Sequence, residues 1–439
     1  MFSKEVLDAL ARETGFIRRV RKISALDFVE SLVFNGEKHG RLSLLDISCD
    51  YMEDTGIAIS REAIHKHFTP EAVEFFKALF TRQLSCQLVR EAGELPGNGF
   101  FSGIHIKDST KYSLPIALEE DYPGYNSFNK ASSLMNLQYE FDLLTMSCRS
   151  LEMTRATRND QQDSKETVGQ LQAGSLNIRD LGYITLPYLL SVVEAEAYYL
   201  NRLHKVGLYL PGQEGGFSPL DWKGLDRKMK KTGMDSYETE AYMGSKEKLK
   251  TRLVLIPVPK QVAAERIRKA GQSGNRTKGY KLSDEYRIKA HYNLFITNVP
   301  QDVLSTKQVI EAYKLRWQVE LIFKTWKSNL DIDSIRAMKK ERMECQLLAK
   351  LIWILLNTSI LSVANQLLES NRCHKRCSYP KFFKMARMFT SRMRAKISCH
   401  RDLANWFITS LVPIIPKLTV EKRLKQKPHH QILYDLFYA

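Results

Sequence analysis

Residues 313–327 read YKLRWQVELIFKTWK, and this stretch governs the interpretation of the rest of the chain. At 100° per residue, Arg316, Glu320 and Lys327 fall at about −60°, −20° and −40° from Tyr313, so the four share one narrow helix face. A different face is predicted to dock on the core through apolar residues: Leu315, Val319, Ile322, Phe323 and Trp326. One long amphipathic helix at 306–329 is therefore predicted to present charge to a charged partner. A solvated face with a weak Arg–Glu pair is the alternative.

A second pattern occurs twice upstream, where an apolar strand runs into an aspartate. Segments 104–108 (IHIKD) and 176–180 (LNIRD) place alternate apolar residues on one strand face. Asp108 and Asp180 are each predicted to emerge where the strand ends and the chain turns, able to hold a metal at the sheet edge. Taken singly, each is better explained as a turn residue.

The regions around these patterns change from strands and helices to a β-rich segment. Strands are predicted at 103–108, 112–118, 134–150 and 176–183, and helices at 161–173 and 186–197. Residues 205–300 are rich in Gly and Lys, with strands predicted at 252–258 and 292–299 and a helix at 261–270. A structureless loop of that length is uncommon in a compact domain, so an inserted, partly β subdomain is predicted.

Together these features resemble the insertion sequence four group of bacterial transposases, whose signature is Tyr-x2-Arg-x3-Glu-x6-Lys. The four signature residues stand here at positions 313, 316, 320 and 327 with every spacing matched. The Asp108-Ser-Thr sequence resembles the family's first catalytic aspartate, and Asp180-Leu-Gly-Tyr resembles the second. The resemblance covers about residues 40 to 365 and fades in the C-terminal tail.

The resemblance implies an α/β fold with an RNase H-like catalytic core, a mixed sheet flanked by helices in which Asp108, Asp180 and Glu320 converge. A β-rich insertion and helical N-terminal and C-terminal domains complete this architecture. The predicted limits are a helical DNA-binding domain at 1–95, the core's first part at 96–204, the insertion at 205–300, the core's second part with the signature helix at 301–365, and a basic helical domain at 366–439.

The activity implied by the resemblance is metal-dependent cleavage and strand transfer of DNA. Asp108, Asp180 and Glu320 are the expected ligands of two Mg²⁺ or Mn²⁺ ions, because hard carboxylate oxygens suit these cations. Two such ions can stabilise both the attacking and the leaving oxygen of a phosphodiester. The implied partners are double-stranded DNA, as terminal inverted repeats and as target, and a second copy of the chain in a synaptic homodimer.

The other signature residues are expected to contact DNA near the scissile bond. Arg316 and Lys327 would neutralise phosphates, and Tyr313 would hydrogen-bond a neighbouring phosphate. The family's hairpin intermediate also needs an unstacked base held against an aromatic ring. Some relatives place a Trp for this on the strand before the signature helix, whereas residues 290–294 read AHYNL here. Tyr292 is the candidate substitute, with a core role as an equally supported alternative.

A helix-turn-helix candidate lies near the N-terminus. The helical pattern of residues 42–80 breaks at Thr55-Gly56 and restarts at Ser60, which is predicted to cap a helix at 61–68. An ordinary helical bundle explains the same turn equally well.

The chain is also basic: residues 371–439 hold 15 Lys and Arg against three acidic residues, which is +12 of the net +17. That excess favours a polyanionic partner, although basic tails are often only solvated surface.

Cysteine usage and hydropathy predict a cytoplasmic protein without a membrane partner, and the resemblance implies that the cell is bacterial. The seven cysteines lack the spacing of a disulfide scaffold. The cluster of Cys373, His374 and Cys377, with Cys399 and His400 further on, is predicted to hold free thiols rather than zinc. The N-terminus lacks the apolar centre of a signal peptide, and the apolar run 347–364 is predicted to be a buried core helix.

Two alternatives keep the fold but change the function. One is an inactivated or domesticated transposase that acts only as a DNA-binding regulator, against which the intact carboxylates and signature argue. The other is a nuclease with the same core that cuts without joining, which sequence does not exclude on mechanistic grounds.

Overall fold

The computed structural model describes residues 3–19, 22–35, 42–91, 100–125, 132–203, 207–212, 216–277, 282–370, 376–398, 409–410, 413–419 and 432. The helices in these ranges are α1 Lys4–Glu13, α2 Ala25–Val33, α3 Leu44–Thr55, α4 Arg61–His67, α5 Pro70–Glu91, α6 Asp160–Glu166, α7 Leu186–Glu194, α8 Trp222–Thr232, α9 Lys260–Thr277, α10 Asp284–Lys289, α11 Thr306–Lys314, α12 Trp317–Leu330, α13 Lys340–Ser370, α14 Tyr379–Ser398 and α15 Ile414–Thr419. The strands are β1 Ile104–Leu114, β2 Ser133–Asp142, β3 Ser147–Arg155, β4 Leu176–Arg179, β5 Tyr198–Arg202, β6 Leu208–Pro211, β7 Phe217–Pro219, β8 Tyr237–Met243, β9 Leu249–Pro257 and β10 Tyr292–Thr297.

The strands pair into one mixed sheet in the order β3-β2-β1-β4-β5-β10-β9-β8-β6-β7. Strands β1, β4 and β5 run parallel, and Lys107 of β1 stands opposite Arg179 of β4. Strand β10 pairs antiparallel with both β5 and β9. Strand β4 is buried at all four positions, as expected of a strand covered on both faces. The predicted α/β class with a mixed sheet and helices is confirmed.

Contacts within the chain divide it into two compact units. The first consists of Met1–Gly97, Asp108–Arg158 and Trp317–Gln431, and the second of Asn98–Lys107, Asn159–Arg316 and Ile432–Ala439. Strand β1 therefore contributes its first residues to the second unit and the rest to the first. The five predicted domain limits stay predictions.

The first unit is organised around the long helix α13, which contacts α2, α5, β3, α14 and α15. Within the described ranges it is the helix with the length and hydropathy to cross a membrane. Its segment Lys340–Leu368 has 29 residues and contains an 18-residue window of mean hydropathy 1.9, of which 72% is buried. Its fully buried Trp353 donates its indole N–H to Thr390 of α14 at 3.2 Å. This degree of burial is expected of a core helix, as the sequence predicted for residues 347–364.

A buried lysine in α13 gives the first testable prediction. Lys350 is 2% exposed and donates to the carbonyl of Asp331, whose φ is +48°. Burial lowers the pKa of Lys350 to about 7, against the opposing influence of Asp331 and Asp333. Between about pH 7 and 10 the unfolded chain keeps a proton that the folded chain excludes, so stability rises with pH over this window.

The variant Lys350→Met should therefore flatten the pH dependence of unfolding, because the unbranched Met fills the same space without a titratable group. Urea unfolding between pH 7 and 10 would measure it. The free energy of unfolding of the wild type should rise by up to about 1.4 kcal/mol per pH unit more than that of the variant. Equal slopes for the two proteins would contradict the prediction.

The helix-turn-helix candidate has the predicted local structure. Helix α3 begins with a capping box between Ser43 and Asp46 and is capped at its C-terminus by Gly56, whose φ of +69° favours glycine. Ser60 then caps α4, its hydroxyl accepting the amide N–H of Ala63 at 3.2 Å. The predicted break and restart are confirmed, while DNA binding by these helices stays a prediction.

Several predicted elements were wrong in extent. Strand β1 runs without a break from Ile104 to Leu114, so Asp108 lies within a strand and not at its end. The predicted strand 134–150 is two strands separated by a turn in which Met146 has a φ of 57°. The predicted helix 161–173 ends at Glu166.

The predicted single helix at 306–329 is also two helices, α11 and α12. The N–H groups of Leu315 and Arg316 bond to the carbonyls three residues back, at 3.0 and 3.1 Å, which tightens the turn and ends α11.

In the second unit the predicted strands 252–258 and 292–299 and the helix 261–270 are confirmed as β9, β10 and α9. These two strands, with β8 and α8, enclose an apolar core around Leu253 and Ile296.

Candidate active site

One cleft of the first unit brings two of the predicted carboxylates together. Asp108 and Glu320 line an open cleft of about 530 Å³ whose other lining residues are Ser109, Phe323, Lys324, Lys327 and Ser328. Both acidic residues are half-buried, and Oδ1 of Asp108 accepts the amide N–H of Ser109 at 2.8 Å. The cleft thus combines two carboxylates with two ammonium groups.

The apolar stripe of α12 fixes the helix so that its charged face lines this cleft. Val319, Ile322, Phe323 and Trp326 are at most 6% exposed. The ring of Trp326 lies 4.8 Å from that of Tyr139, and its indole N–H donates to the Tyr379 hydroxyl at 3.0 Å. The predicted separation of a docking face from a charged face is therefore confirmed within α12.

Lys327 is held against the same part of the first unit. Its ammonium group donates to the backbone carbonyl of Lys111, three residues beyond Asp108 in β1, at 3.4 Å. Lys324 also lines the cleft and is exposed, although the sequence analysis did not single it out. Its spacing of four from Glu320 was the available signal, because residues four apart share a helix face.

The remaining predicted carboxylate lies in the second unit beside the signature arginine. Asp180 follows β4 in an extended conformation and precedes a short 3-10 turn, as predicted for a strand-end residue. The Arg316 Nε atom is 3.8 Å from Asp180 Oδ1, with the two side chains 15% and 44% exposed. An arginine in this position neutralises an aspartate without enclosing it, so Asp180 stays accessible.

Tyr313 adjoins this pair as a neutral group. Its ring lies 5.2 Å from that of Phe295 and 6.0 Å from the Arg316 guanidinium carbon. Burial, opposed by the Arg316 guanidinium and assisted by the Asp180 carboxylate, raises the pKa of Tyr313 to about 12. The phenol therefore keeps its proton at neutral pH and can donate a hydrogen bond.

Tyr292 occupies a different environment from that of a base-stacking residue. It is 5% exposed in the apolar core of the second unit, and its hydroxyl donates to Asp226 at 2.7 Å. Burial and the Asp226 carboxylate both raise the pKa of Tyr292. These contacts favour the core alternative. Trp317, by contrast, is 52% exposed at the start of α12.

The donor chemistry of the cleft suits a divalent cation. Asp108 and Glu320 offer hard carboxylate oxygens, which are the ligands of Mg²⁺ and Mn²⁺. Over the described ranges, no group of three or more His, Cys, Asp or Glu side chains is arranged to hold a metal. Of the C-terminal cluster considered for zinc, Cys377 is buried and forms no disulfide, and the other members lie outside the described residues.

A second cleft of the first unit is strongly basic. It encloses about 770 Å³ between α4, the start of α3 and the segment preceding α13. Its charged lining residues are Arg61, Glu62, Lys66, Arg336 and Arg342, and His65 lies among them. Lys339 ties the two sides together by donating to the carbonyl of Phe68 at 3.1 Å. We call this cleft the basic groove.

Comparisons with known proteins identify the family of the chain. Residues 100–356 match the transposase DDE domain family. The chain is 30% identical over 380 residues to the transposase of insertion sequence element IS231F from Bacillus thuringiensis subsp. israelensis, covering 83% of this chain and 79% of the relative. It is 27% identical over 383 residues to the IS1151 transposase of Clostridium perfringens, covering 84% and 80%.

Among solved structures, the chain is similar to a piggyBac transposase in a synaptic complex with hairpin DNA. The TM-score is 0.45 at 12% identity, covering 97% of this chain and 85% of the other. The family match confirms the predicted resemblance and the RNase H-like class of the α/β core. It spans more than half of the sequence, including Asp108, Asp180 and Glu320. The chain therefore belongs to the DDE transposase family of insertion-sequence elements.

Proposed function

We propose that this transposase binds the terminal inverted repeats of its element, cleaves the DNA ends and joins them to target DNA. Asp108, Asp180 and Glu320 are its three acidic catalytic residues. The observation that carries the proposal is the cleft in which Asp108 and Glu320 stand beside Lys324 and Lys327. Strand register supports Asp180, because it follows Arg179, which pairs with the residue before Asp108.

The three carboxylates would hold two Mg²⁺ or Mn²⁺ ions, which supply neutralisation of the attacking and leaving oxygens of the phosphodiester. The protein's own contribution is positive charge at the scissile phosphate. Lys324 and Lys327 bind it as point charges, and Arg316 offers a planar fork that suits two phosphate oxygens. Tyr313, which is neutral at pH 7, donates a hydrogen bond from its hydroxyl to a neighbouring phosphate.

The partner in this proposal is double-stranded DNA, and the basic groove is a second contact with it. Four of its lining residues are Arg or Lys and one is acidic, so the groove matches a phosphate backbone in charge. Helix α4 contributes Arg61, His65 and Lys66 to this lining. The helix-turn-helix candidate would therefore contact DNA through the basic groove. Two copies of the chain would act together in the synaptic complex, in the cytoplasm of a bacterial cell.

A hairpin intermediate is part of the proposal, and Trp317 replaces Tyr292 as the aromatic residue that holds an unstacked base. It is exposed and directly follows Arg316, so an aromatic face and a cation stand side by side in sequence. Trp317→Ala should leave first-strand nicking intact and lower the hairpin yield about tenfold, since stacking is worth about 1–3 kcal/mol per base. Denaturing gels would separate nicked from hairpin products.

The matched control for Trp317 is Phe217→Ala, which removes another exposed aromatic ring, 44% exposed in β7. Its hairpin yield should equal that of the wild type, and Trp317→Phe should restore most of the lost yield. Loss of nicking together with hairpins in Trp317→Ala would assign the residue a different role.

The test of the whole function is a Mg²⁺-dependent assay on DNA that carries the ends of the element. Cleavage followed by joining to a target plasmid is the expected result. Cleavage without joining would favour the nuclease alternative, and binding without cleavage would favour the inactivated regulator.

A further inference from the structure

Two buried cations stand immediately before the two proposed catalytic aspartates. Lys107 precedes Asp108, and its ammonium group lies 2.6 Å from Oδ2 of Asp163, with side chains 2% and 0% exposed. It also donates to the Thr167 hydroxyl at 3.2 Å. Lys107 is thus anchored in the interior of the second unit by α6 and the residue that follows it.

Arg179 precedes Asp180 and is equally buried, at 2% exposure. Its guanidinium carbon lies 4.4 Å from the ring centroid of Tyr188 and 5.9 Å from that of Tyr183. One guanidinium N–H donates to the hydroxyl of Ser164 at 3.4 Å, and that hydroxyl donates to the Tyr183 carbonyl at 2.8 Å. Arg179 is therefore held by stacking and by α6.

The two cations are neighbours in the sheet. Lys107 and Arg179 are paired in register on the parallel strands β1 and β4, so their side chains share one face. Both reach consecutive residues of α6, Asp163 and Ser164. Because side chains alternate along an extended chain, the residue that follows each cation, Asp108 or Asp180, is expected to point away from α6.

Burying two charged side chains for packing alone is energetically unfavourable. Buried ions lose their hydration, and apolar residues of similar volume often stabilise a fold equally well or better. A buried ion pair is directional, however, and fixes the strand that carries it against sliding along its axis and against rotation about it. That property matters most where the next residue must be placed within a fraction of an ångström.

We propose that α6 acts as the positioning element of the active site, with Lys107 and Arg179 as positioning residues for Asp108 and Asp180. Anchoring of the two cations on one face sets the carboxylates on the other. The inference rests on the proposed function, because it assigns a role relative to the proposed acidic residues.

The test replaces the buried pair by apolar residues in the double variant Lys107→Met/Asp163→Leu. Because this removes both charges, the melting temperature should equal or exceed that of the wild type. Mn²⁺ affinity, followed by electron paramagnetic resonance on the full chain, should fall about 10- to 100-fold. Turnover in the DNA-cleavage assay should fall about 100-fold while gel-shift affinity for DNA is unchanged.

The matched control is Lys223→Met/Asp284→Leu, which removes an exposed Lys–Asp pair of the same unit, 3.3 Å apart with side chains 66% and 76% exposed. Its Mn²⁺ affinity and turnover should match the wild type. A stable Lys107→Met/Asp163→Leu protein with wild-type Mn²⁺ affinity would overturn the proposal. If that protein does not fold, Thr167→Val is the second variant, because it removes the hydroxyl that accepts from Lys107 and donates to the Asp163 carbonyl at 2.8 Å while keeping the Lys107–Asp163 ion pair. It should still weaken Mn²⁺ binding, and an unchanged affinity would overturn the proposal.

Failure of this inference is separable from failure of the proposed function. Asp108→Asn measured in parallel should lose Mn²⁺ binding if Asp108 is a ligand. If Asp108→Asn binds Mn²⁺ normally, the proposed function is wrong at this residue. If it loses Mn²⁺ while the double variant keeps it, only the positioning role is wrong.

Discussion

Glu320→Ala is expected to abolish DNA cleavage while leaving DNA binding intact. The residue shares its cleft with Asp108 and lies on the charged face of α12, whose other face is locked into the core. Removing one member of a catalytic constellation typically costs on the order of 10⁴-fold in rate. The fold should survive, because the truncation removes a half-buried carboxylate near another carboxylate and leaves the apolar stripe untouched.

The measurement is Mg²⁺-dependent nicking of DNA that carries the element's ends, with gel-shift affinity determined in parallel. The control is Glu311→Ala, which removes a glutamate of α11 whose carboxylate pairs with the exposed Lys314 at 2.6 Å. That variant should cleave like the wild type. Nicking that persists in Glu320→Ala would contradict the site assignment, whereas loss of both binding and nicking would point to a structural role.

The charged and apolar faces of the signature segment were predictable because helical periodicity is a local property. The break between α11 and α12 was not, since Leu315 and Arg316 have no unusual helix propensity and no glycine or proline marks the site. The face argument therefore holds for Glu320 and Lys327 within α12. It does not extend across the break to Tyr313 and Arg316.

Strand β1 illustrates the opposite error. Residues 109–111 read STK, a polar run between the predicted strands 103–108 and 112–118, and predict a turn after Asp108. The strand continues through them to Leu114, because sheet pairing and burial of alternate residues such as Thr110 and Tyr112 override the local preference. Asp108 is consequently carried on a rigid strand, which suits a ligand better than a turn does.

The surroundings of single aromatic residues were also beyond prediction. Tyr292 and Trp317 look equally available in sequence, but the first meets Asp226, 66 positions away, and is buried. The basic groove likewise joins residues near position 61 to residues near 336. Contacts between such distant segments depend on the tertiary fold, which periodicity does not report.

Removal of the groove's exposed cations should weaken DNA binding and its salt dependence together. Arg61, Lys66 and Arg336 are exposed, so the variant Arg61→Ala/Lys66→Ala/Arg336→Ala should fold normally. Three lost phosphate contacts should reduce the slope of log affinity against log salt by about 2.7. At about 1 kcal/mol per contact, affinity should fall roughly 100-fold.

The comparison is made by fluorescence anisotropy with the element's end and with an unrelated duplex, at several salt concentrations. The matched control, Arg227→Ala/Lys228→Ala/Lys231→Ala, removes the same charge from exposed positions of α8. An equal loss in the control would mean that net charge alone attracts DNA, and the groove would lose its assignment. A loss confined to the element's end would indicate base recognition by α4 in place of phosphate contact, because phosphates are identical in both duplexes. Equal weakening on both duplexes, restricted to the groove variant, is the result that phosphate binding requires.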